Sequence, residues 1–354
     1  MIELKDIKRV LVINLGGIGD FLISTPALRA LKDHFPQAEL YFLVAGRVAG
    51  LARDFPYAKK VFVFEIERPW LHVLANIKNI LELRRSKIDL GINMRTLVSG
   101  SGAGKIKFIM QLISPRIKAG RDTAGRGYFF DIKIPESDVG EKYEMDYDID
   151  VVKALGATVH DRGVDLKIDP SSLQRAEQIL RDGGIAGSDA VIGIHPGGKP
   201  SHRWPSDNFA QVLKRFHATT GCKFVITGSK DEVKLAGDII AKSGVNALNL
   251  AGKLTIRELA AVLKRCDLYI TNDTGSMHIA AIMDTPMVAL FGPGYVTRYD
   301  PRNISSRAIV FYKKEQCSPC NRSVCPSMKC MGSIPVDDVA QAAQKLLSLS
   351  KKEQ

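Results

Sequence analysis

Apolar residues in this chain gather in short continuous runs separated by stretches with helical spacing, the pattern of buried parallel strands joined by crossover helices. The pattern runs through the chain twice. In the first half it predicts strands over 10–14, 39–44, 61–64 and 88–93, helices over 20–34 and 70–85, and an amphipathic helix over 101–113. A mixed stretch follows, helical over 142–155. A turn-rich segment at 169–172 and a helix over 172–182 then lead to Gly183-Gly184, read as a hinge. In the second half, strands over 190–195, 223–227, 246–250, 267–271 and 286–291 alternate with helices over 206–219, 231–243, 255–264 and 276–283, and 336–347 closes as a helix. The fold class expected is α/β, with two doubly wound, Rossmann-like domains: 1–170, 171–335 and a closing helix in 336–354. Ligands of such sheets bind at the carboxyl ends of the strands, so two domains can present their sites to each other across a central cleft.

The loops after the strands therefore carry the chemistry. Thr271-Asn-Asp-Thr-Gly-Ser-Met-His-Ile-Ala-Ala281 turns from strand to helix within a few residues. Asp273 or Thr274 is placed to cap that helix, Gly275 lets a ligand approach the backbone, and His278 lies one turn in; the combination suits a phosphate. His195-Pro-Gly-Gly-Lys-Pro-Ser-His-Arg-Trp-Pro205 offers Gly197 and Gly198 with three potential cations, Lys199, His202 and Arg203, and reads as a second anion site on the same edge. In Thr227-Gly-Ser-Lys-Asp-Glu232, Ser229 either caps a helix or stands near a ribose. Asn14-Leu-Gly-Gly-Ile-Gly-Asp20 puts a carboxylate in the first turn of a helix, where the dipole keeps it ionised and available as a base. The same glycines suggest a dinucleotide fingerprint, but the second strand ends in Ala45-Gly46-Arg47 instead of the ribose-binding acid that a nicotinamide site expects.

Length and charge narrow the choice. The 354 residues suffice for two cores, and no apolar run approaches the roughly 20 residues of a membrane span. The start has no signal-peptide pattern, which predicts a cytoplasmic protein. A net charge of +12 suits nucleic acid, an anionic membrane or a phosphorylated substrate. Aromatics are 7% of the chain and are not interleaved with the basic residues, which disfavours nucleic acid.

Taken in order, Gly16-Gly-Ile-Gly-Asp20, His195-Pro-Gly-Gly198 with Arg203-Trp-Pro205, Leu250-Ala-Gly-Lys253, Asn272-Asp-Thr-Gly-Ser-Met-His278 and Leu290-Phe-Gly-Pro293 resemble the glycosyltransferase family nine heptosyltransferases over nearly the whole chain. The resemblance implies a GT-B fold and an inverting, metal-independent transfer of heptose from ADP-heptose to the inner core of lipopolysaccharide, on Kdo-lipid A or its heptosylated form. Alternatives are another nucleotide sugar or glycan acceptor, or a non-catalytic nucleotide-sugar-binding relative. It implies Asp20 as general base. On the donor side it implies Gly197, Gly198, Lys199, His202, Arg203, Ser229, Asp273, Thr274, Gly275 and His278, and on the acceptor side Gly17, Gly19, Arg95 and Arg121. Relatives often carry lysine where this chain has His202; a neutral imidazole is the weaker phosphate partner, so Lys199 or Arg203 takes that role unless its pKa is raised.

Basic residues of the first half, among them Arg95, Lys105, Lys107, Arg116, Lys118 and Arg121, then predict salt-sensitive, peripheral attachment of a monomer to the anionic cytoplasmic face of the inner membrane. Cys317, Cys320, Cys325 and Cys330, spaced C-x2-C-x4-C-x4-C in a loop of low apolar content, allow a structural zinc, reduced thiols or oxidised pairs. Cys222 and Cys266 read as core.

Overall fold

In the computed structural model, which describes residue 4 and residues 6–65, 69–137 and 140–350, the chain divides into two units, Met1–Asp165 and Leu166–Gln354. The first holds β1 (Arg9–Asn14), β2 (Glu39–Val44), β3 (Ala58–Val63), β4 (Leu90–Asn93), β5 (Ile117–Thr123) and β6 (Ile132–Glu136), in the order β3-β2-β1-β4-β5-β6. The second holds β7 (Val191–His195), β8 (Lys223–Ile226), β9 (Ala247–Asn249), β10 (Leu268–Asn272), β11 (Met287–Phe291) and β12 (Ala308–Tyr312), in the order β12-β11-β10-β7-β8-β9. Every pairing is parallel. Counted from each unit's own first strand the two orders are identical, and both units are doubly wound, as expected from the sequence. Each reverses at one point, between β1 and β4 and between β7 and β10.

Continuous apolar strands follow from burial on both faces. In β7, Val191 joins one cluster with Val225, Ala261 and Val262, while Ile192 and Ile194 join another with Trp204, Phe209 and Leu213. The C-terminal helix Val336–Ser350 buries Val339, Ala343, Leu346 and Leu347 in that second cluster, so it is part of the second unit's core. Three strands were not expected. β5 carries Lys118, Arg121 and Asp122, which mask it; its Arg121 is buried because carboxylates meet it inside, and Gly120 leaves room for the Phe130 ring, which a Cβ there would approach to 2.6 Å. β6 is short and half-polar, and β12 is an edge strand paired only with β11.

Gly183-Gly184 is not a hinge between the units. Both residues lie inside the second unit, where Gly184 (φ +77°) closes the helix Pro170–Asp182 and the Ile185 N–H bonds back to the Leu180 carbonyl at 2.9 Å. Among the described residues no helix is long and apolar enough to cross a membrane.

Candidate functional site

In the second unit the reversal point is organised by Asn272, the last residue of β10. Its buried amide donates to the Pro196 and Gly197 carbonyls, both at 3.0 Å, and its oxygen accepts the Trp204 N–H at 3.1 Å. One side chain thus ties the end of β10 to both limbs of the loop after β7. Trp204 is buried, donates its indole N–H to the Ile334 carbonyl at 3.1 Å and packs edge-on against Phe209, which fixes the far end of that loop. Gly198 has φ +115°, and a Cβ there would stand 2.8 Å from the Thr274 methyl, so the loops after β7 and β10 touch through a glycine.

Glu232, which the sequence reading did not single out, is the hub beneath this loop. It accepts the Gly198 N–H at 2.7 Å and the Ser229 N–H at 2.8 Å, and meets the Arg203 guanidinium at 3.3 Å. Burial pushes its pKa up, but the backbone N–H groups of Ser229 and Gly198 prevail and hold the carboxyl below its ordinary value. Arg203 also donates to the Gly198 carbonyl at 2.8 Å, so it braces the loop it was expected to border. The signal was present as the capping box Ser229-x-x-Glu232, which forms.

The remaining donor-side residues divide by exposure. Lys199 is exposed and reaches Asn321 at 3.3 Å. His202 is buried; burial, reinforced by the Lys199 cation, lowers its pKa to about 4, so it is a neutral ring and not one of three cations. Thr274 is the N-cap residue of the helix Gly275–Ile282, with its hydroxyl 2.9 Å from that of Ser276. Asp273 precedes it, close enough to the loop after β11 that a Cβ at Gly294 would come within 2.4 Å of its carboxylate. His278 is buried with its ring edge-on to Tyr299. His195 is neutral as well, lowered to about 4 by burial, and bonds the Thr227 hydroxyl at 3.0 Å; Thr227 in turn meets the Tyr269 hydroxyl at 2.9 Å.

The cysteine-rich segment forms one wall here. The Pro293 carbonyl accepts the N–H groups of Cys320 and Asn321, and the Ser323 carbonyl accepts that of Ser201. Cys317 is exposed, Cys320 and Cys325 are half-buried and Cys330 is buried. Burial pushes the Cys330 thiol up, and the neighbouring Cys320, Cys317 and Cys325 add to the effect, whereas the Ser327 hydroxyl and backbone N–H groups lower Cys325. Among the described residues, no three His, Cys, Asp or Glu side chains stand where one ion could hold them.

In the first unit the reversal point carries charge. Asp20 lies in the first turn of the helix Ile18–His34, accepts the Gly17 N–H at 2.6 Å and pairs with Arg95, just after β4, at 2.7 Å. Gly16 allows this turn, since a Cβ there would strike Asp20 at 2.6 Å; Gly19 is buried within the helix. Arg95 continues to Glu144 at 2.6 Å, and Glu144 also accepts Arg121 at 3.0 Å. Arg121 reaches Asp148 and the Thr96 hydroxyl. Glu144, Asp148 and Arg121 are buried, whereas Asp20 and Arg95 keep 16% and 17% of their side-chain surface exposed, so a ligand reaches the outer pair first. The structure thus corrects the place of Arg121: it is an interior residue behind Arg95, where the buried acids of the helix Glu144–Ala154 draw it in. Those acids, Glu144 and Asp148, stand one helical turn apart and were also missed. Burial, opposed by Arg121, raises Asp148 to about 7.

Two units of this order, one with a partly exposed carboxylate and the other with a glycine-built loop at its reversal point, have the two-Rossmann architecture of the GT-B class. Residues 77–331 match glycosyltransferase family 9 (heptosyltransferase), and the chain belongs to that family. It is 27% identical over 343 residues to a lipooligosaccharide heptosyltransferase 2 of Campylobacter jejuni, covering 94% of this chain and 96% of that protein. Among solved structures it resembles a glycosyl transferase family 9 protein from Veillonella parvula, with TM-score 0.80, 24% identity and coverage of 98% and 99%. It also resembles the E. coli heptosyltransferase WaaC with ADP-2-deoxy-2-fluoro heptose, with TM-score 0.64, 17% identity and coverage of 96% and 99%.

Proposed function

We propose that this enzyme moves a heptose from ADP-heptose to the inner core of lipopolysaccharide with inversion at the anomeric carbon. The observation that carries this reading is the contrast at the two reversal points: a partly exposed carboxylate, Asp20, in one unit, and a glycine loop with the exposed Lys199 beside a helix N-terminus in the other. The relatives point to the same sugar, since the Campylobacter protein is named a lipooligosaccharide heptosyltransferase and WaaC was solved with an ADP-heptose analogue.

In this mechanism the second unit holds the nucleoside diphosphate. Lys199 and the start of the helix at Thr274 and Gly275, beside the Gly197–Gly198 loop, stabilise the charge that develops on the leaving diphosphate. Arg203 and Glu232 keep the loop in that shape. Asp20 takes the proton of the acceptor hydroxyl as its oxygen attacks the anomeric carbon from the face opposite the diphosphate. Arg95 orients Asp20 and stands beside the acceptor. No metal takes part in this step; the cysteine segment serves as a wall, and elemental analysis of the purified protein tests whether it also carries zinc. The chain works as a monomer at the cytoplasmic face of the inner membrane, where its lipid-linked acceptor lies.

The test is calorimetric titration with ADP, GDP, UDP, NAD and ADP-heptose, with and without magnesium. ADP and ADP-heptose are expected to bind selectively and independently of magnesium, followed by transfer to Kdo-lipid A. Preference for UDP or GDP would overturn the sugar assignment, and binding of NAD alone would overturn the reading.

A further inference from the structure

The helix Val73–Arg85 is built the wrong way round for a soluble surface. Its inner side is anchored by polar groups: the Asn76 amide exchanges hydrogen bonds with the Glu65 backbone at 3.0 and 3.2 Å, and Asn79 donates to the Val63 carbonyl at 2.7 Å. Ile80 and Leu83 are buried beside them. These bonds fix the helix's rotation, and they leave Leu74, Ile77 and Leu81 outside. Trp70 is 71% exposed, Leu74 83%, Ile77 50% and Leu81 45%. Leu74, Ile77 and Leu81, three and four residues apart, share one stripe of the helix, and Trp70 lies just before it on the short 3-10 turn Pro69–Leu71. Phe108 and Leu112, one turn apart on the helix Gly100–Ile113, are exposed as well, and Arg84 joins the two helices through the Leu112 carbonyl at 2.8 Å.

Cations border this apolar face. Lys78, Arg84, Arg85 and Lys105 are exposed. The only acids between residues 69 and 113 are Glu82 and Asp89, and both are engaged: Glu82 with Lys60, Asp89 with the backbone N–H groups of Lys8 and Arg9. An apolar stripe rimmed by positive charge matches the interface of an anionic bilayer, where the apolar side chains enter the acyl boundary and the cations meet the headgroups.

We infer that this face, Trp70, Leu74, Ile77 and Leu81 with Phe108 and Leu112, is the surface by which the enzyme docks on a membrane carrying anionic lipids. The inference deepens the proposed function, because it names the part of the first unit that meets the bilayer holding the acceptor.

Tryptophan fluorescence reads the contact directly, since the chain has two tryptophans and Trp204 is 1% exposed. With mixed phosphatidylethanolamine and phosphatidylglycerol vesicles, Trp70 is expected to shift to shorter wavelength and to be quenched by brominated acyl chains. Pure phosphatidylcholine vesicles are expected to do neither at physiological salt. A Leu74→Ser/Ile77→Ser variant, changed only at exposed positions and keeping Trp70 as reporter, is expected to bind the anionic vesicles about 10-fold more weakly or less. Its ADP titration and its turnover on a deacylated, soluble acceptor should match the parent chain. Vesicle binding unchanged in that variant, equal binding to phosphatidylcholine, or a concentration-dependent dimer that the variant abolishes would each overturn the inference. Failure of ADP to bind the parent chain would instead strike the proposed function while leaving the vesicle result standing.

Discussion

At the carboxyl ends of β1 and β4 the first unit places charge: Asp20, Arg95, Glu144, Arg121 and Asp148 form one connected chain running inward from the surface. At the corresponding ends of β7 and β10 the second unit buries neutral side chains, with Arg203, Glu232 and Asp273 beside them: Asn272 spans the loop, His195 and His202 are uncharged, and Thr227 and Tyr269 complete a hydrogen-bonded line. The strand order is the same in both. What differs is the job the reversal point is given. Asp20, the base of the proposed function, is held by a guanidinium, whose fixed fork orients it without removing its charge. In the second unit Glu232 is buried beneath the loop, where it binds the backbone and, under the proposed function, is kept off the diphosphate.

The largest effect that would sharpen this contrast is the loss of Asp20. Asp20→Asn keeps an oxygen for the Gly17 N–H and removes the negative charge, so turnover is expected to fall about 10²–10⁴-fold. Donor affinity should stay within a factor of about two, because the donor groups lie on the other unit's loops. Steady-state rates together with ADP-heptose titration check both halves of the statement. An Asn variant that retains most of its turnover would remove the functional meaning of the charged reversal point.

Much of this division was legible in the chain. Backbone-defining residues announce themselves: Gly16, Gly198 and Gly275, and the Asp-Thr pair at 273–274, mark turns through their own conformational demands, and both reversal points were found from them. Side chains that act by meeting a distant partner do not. Whether Arg121 lies outside or inside depends on Glu144 and Asp148, which β5 and the helix Glu144–Ala154 bring to it from 23 and 27 residues away. For the same reason β5 was passed over, since its charges look incompatible with a buried strand until their partners are known. Glu232 and Asn272 belong to this class too. The exposed stripe on Val73–Arg85 shows the converse: its periodicity is that of a helix, but which face it buries is decided by Asn76 and Asn79 bonding to the backbone at Glu65 and Val63.

Acidity should pull the two units in opposite directions. His195 and His202, held neutral to about pH 4 against an ordinary value of 6.5, bind fewer protons folded than unfolded between those values. The second unit therefore loses stability as pH falls through that window, by roughly 3 kcal/mol for each histidine. Asp148, raised from 3.8 to about 7, binds more protons folded than unfolded over its own window, so its contribution is present at low pH and is lost as pH rises toward neutrality. Hydrogen exchange followed by mass spectrometry at about pH 5 and about pH 7.5, read separately for the two units, checks this. On acidification, protection of β7, β8 and β10 should drop relative to β1 and β4. Replacing both histidines by glutamine should flatten the second unit's response, and Asp148→Asn should flatten the first's. Parallel responses in the two units would break the comparison.

The smallest expected effects come from a matched pair of glycine substitutions. Gly198→Ala puts a methyl group 2.8 Å from Thr274 at a φ of +115°, a backbone conformation that alanine resists. The anion loop must shift, and donor affinity is expected to fall roughly 10-fold while the acceptor-side chemistry is untouched. At Gly16 the backbone is ordinary, but a methyl group would stand 2.6 Å from the Asp20 carboxylate, so Gly16→Ala displaces the base against Arg95. Its cost should fall on turnover, again roughly 10-fold, with ADP-heptose binding unchanged. Each substitution adds the same single carbon at the same topological position of one unit or the other. If the two units divide donor holding from proton removal, one variant changes the binding isotherm and the other changes the rate; if both variants change both, the reversal points do not work as separate parts.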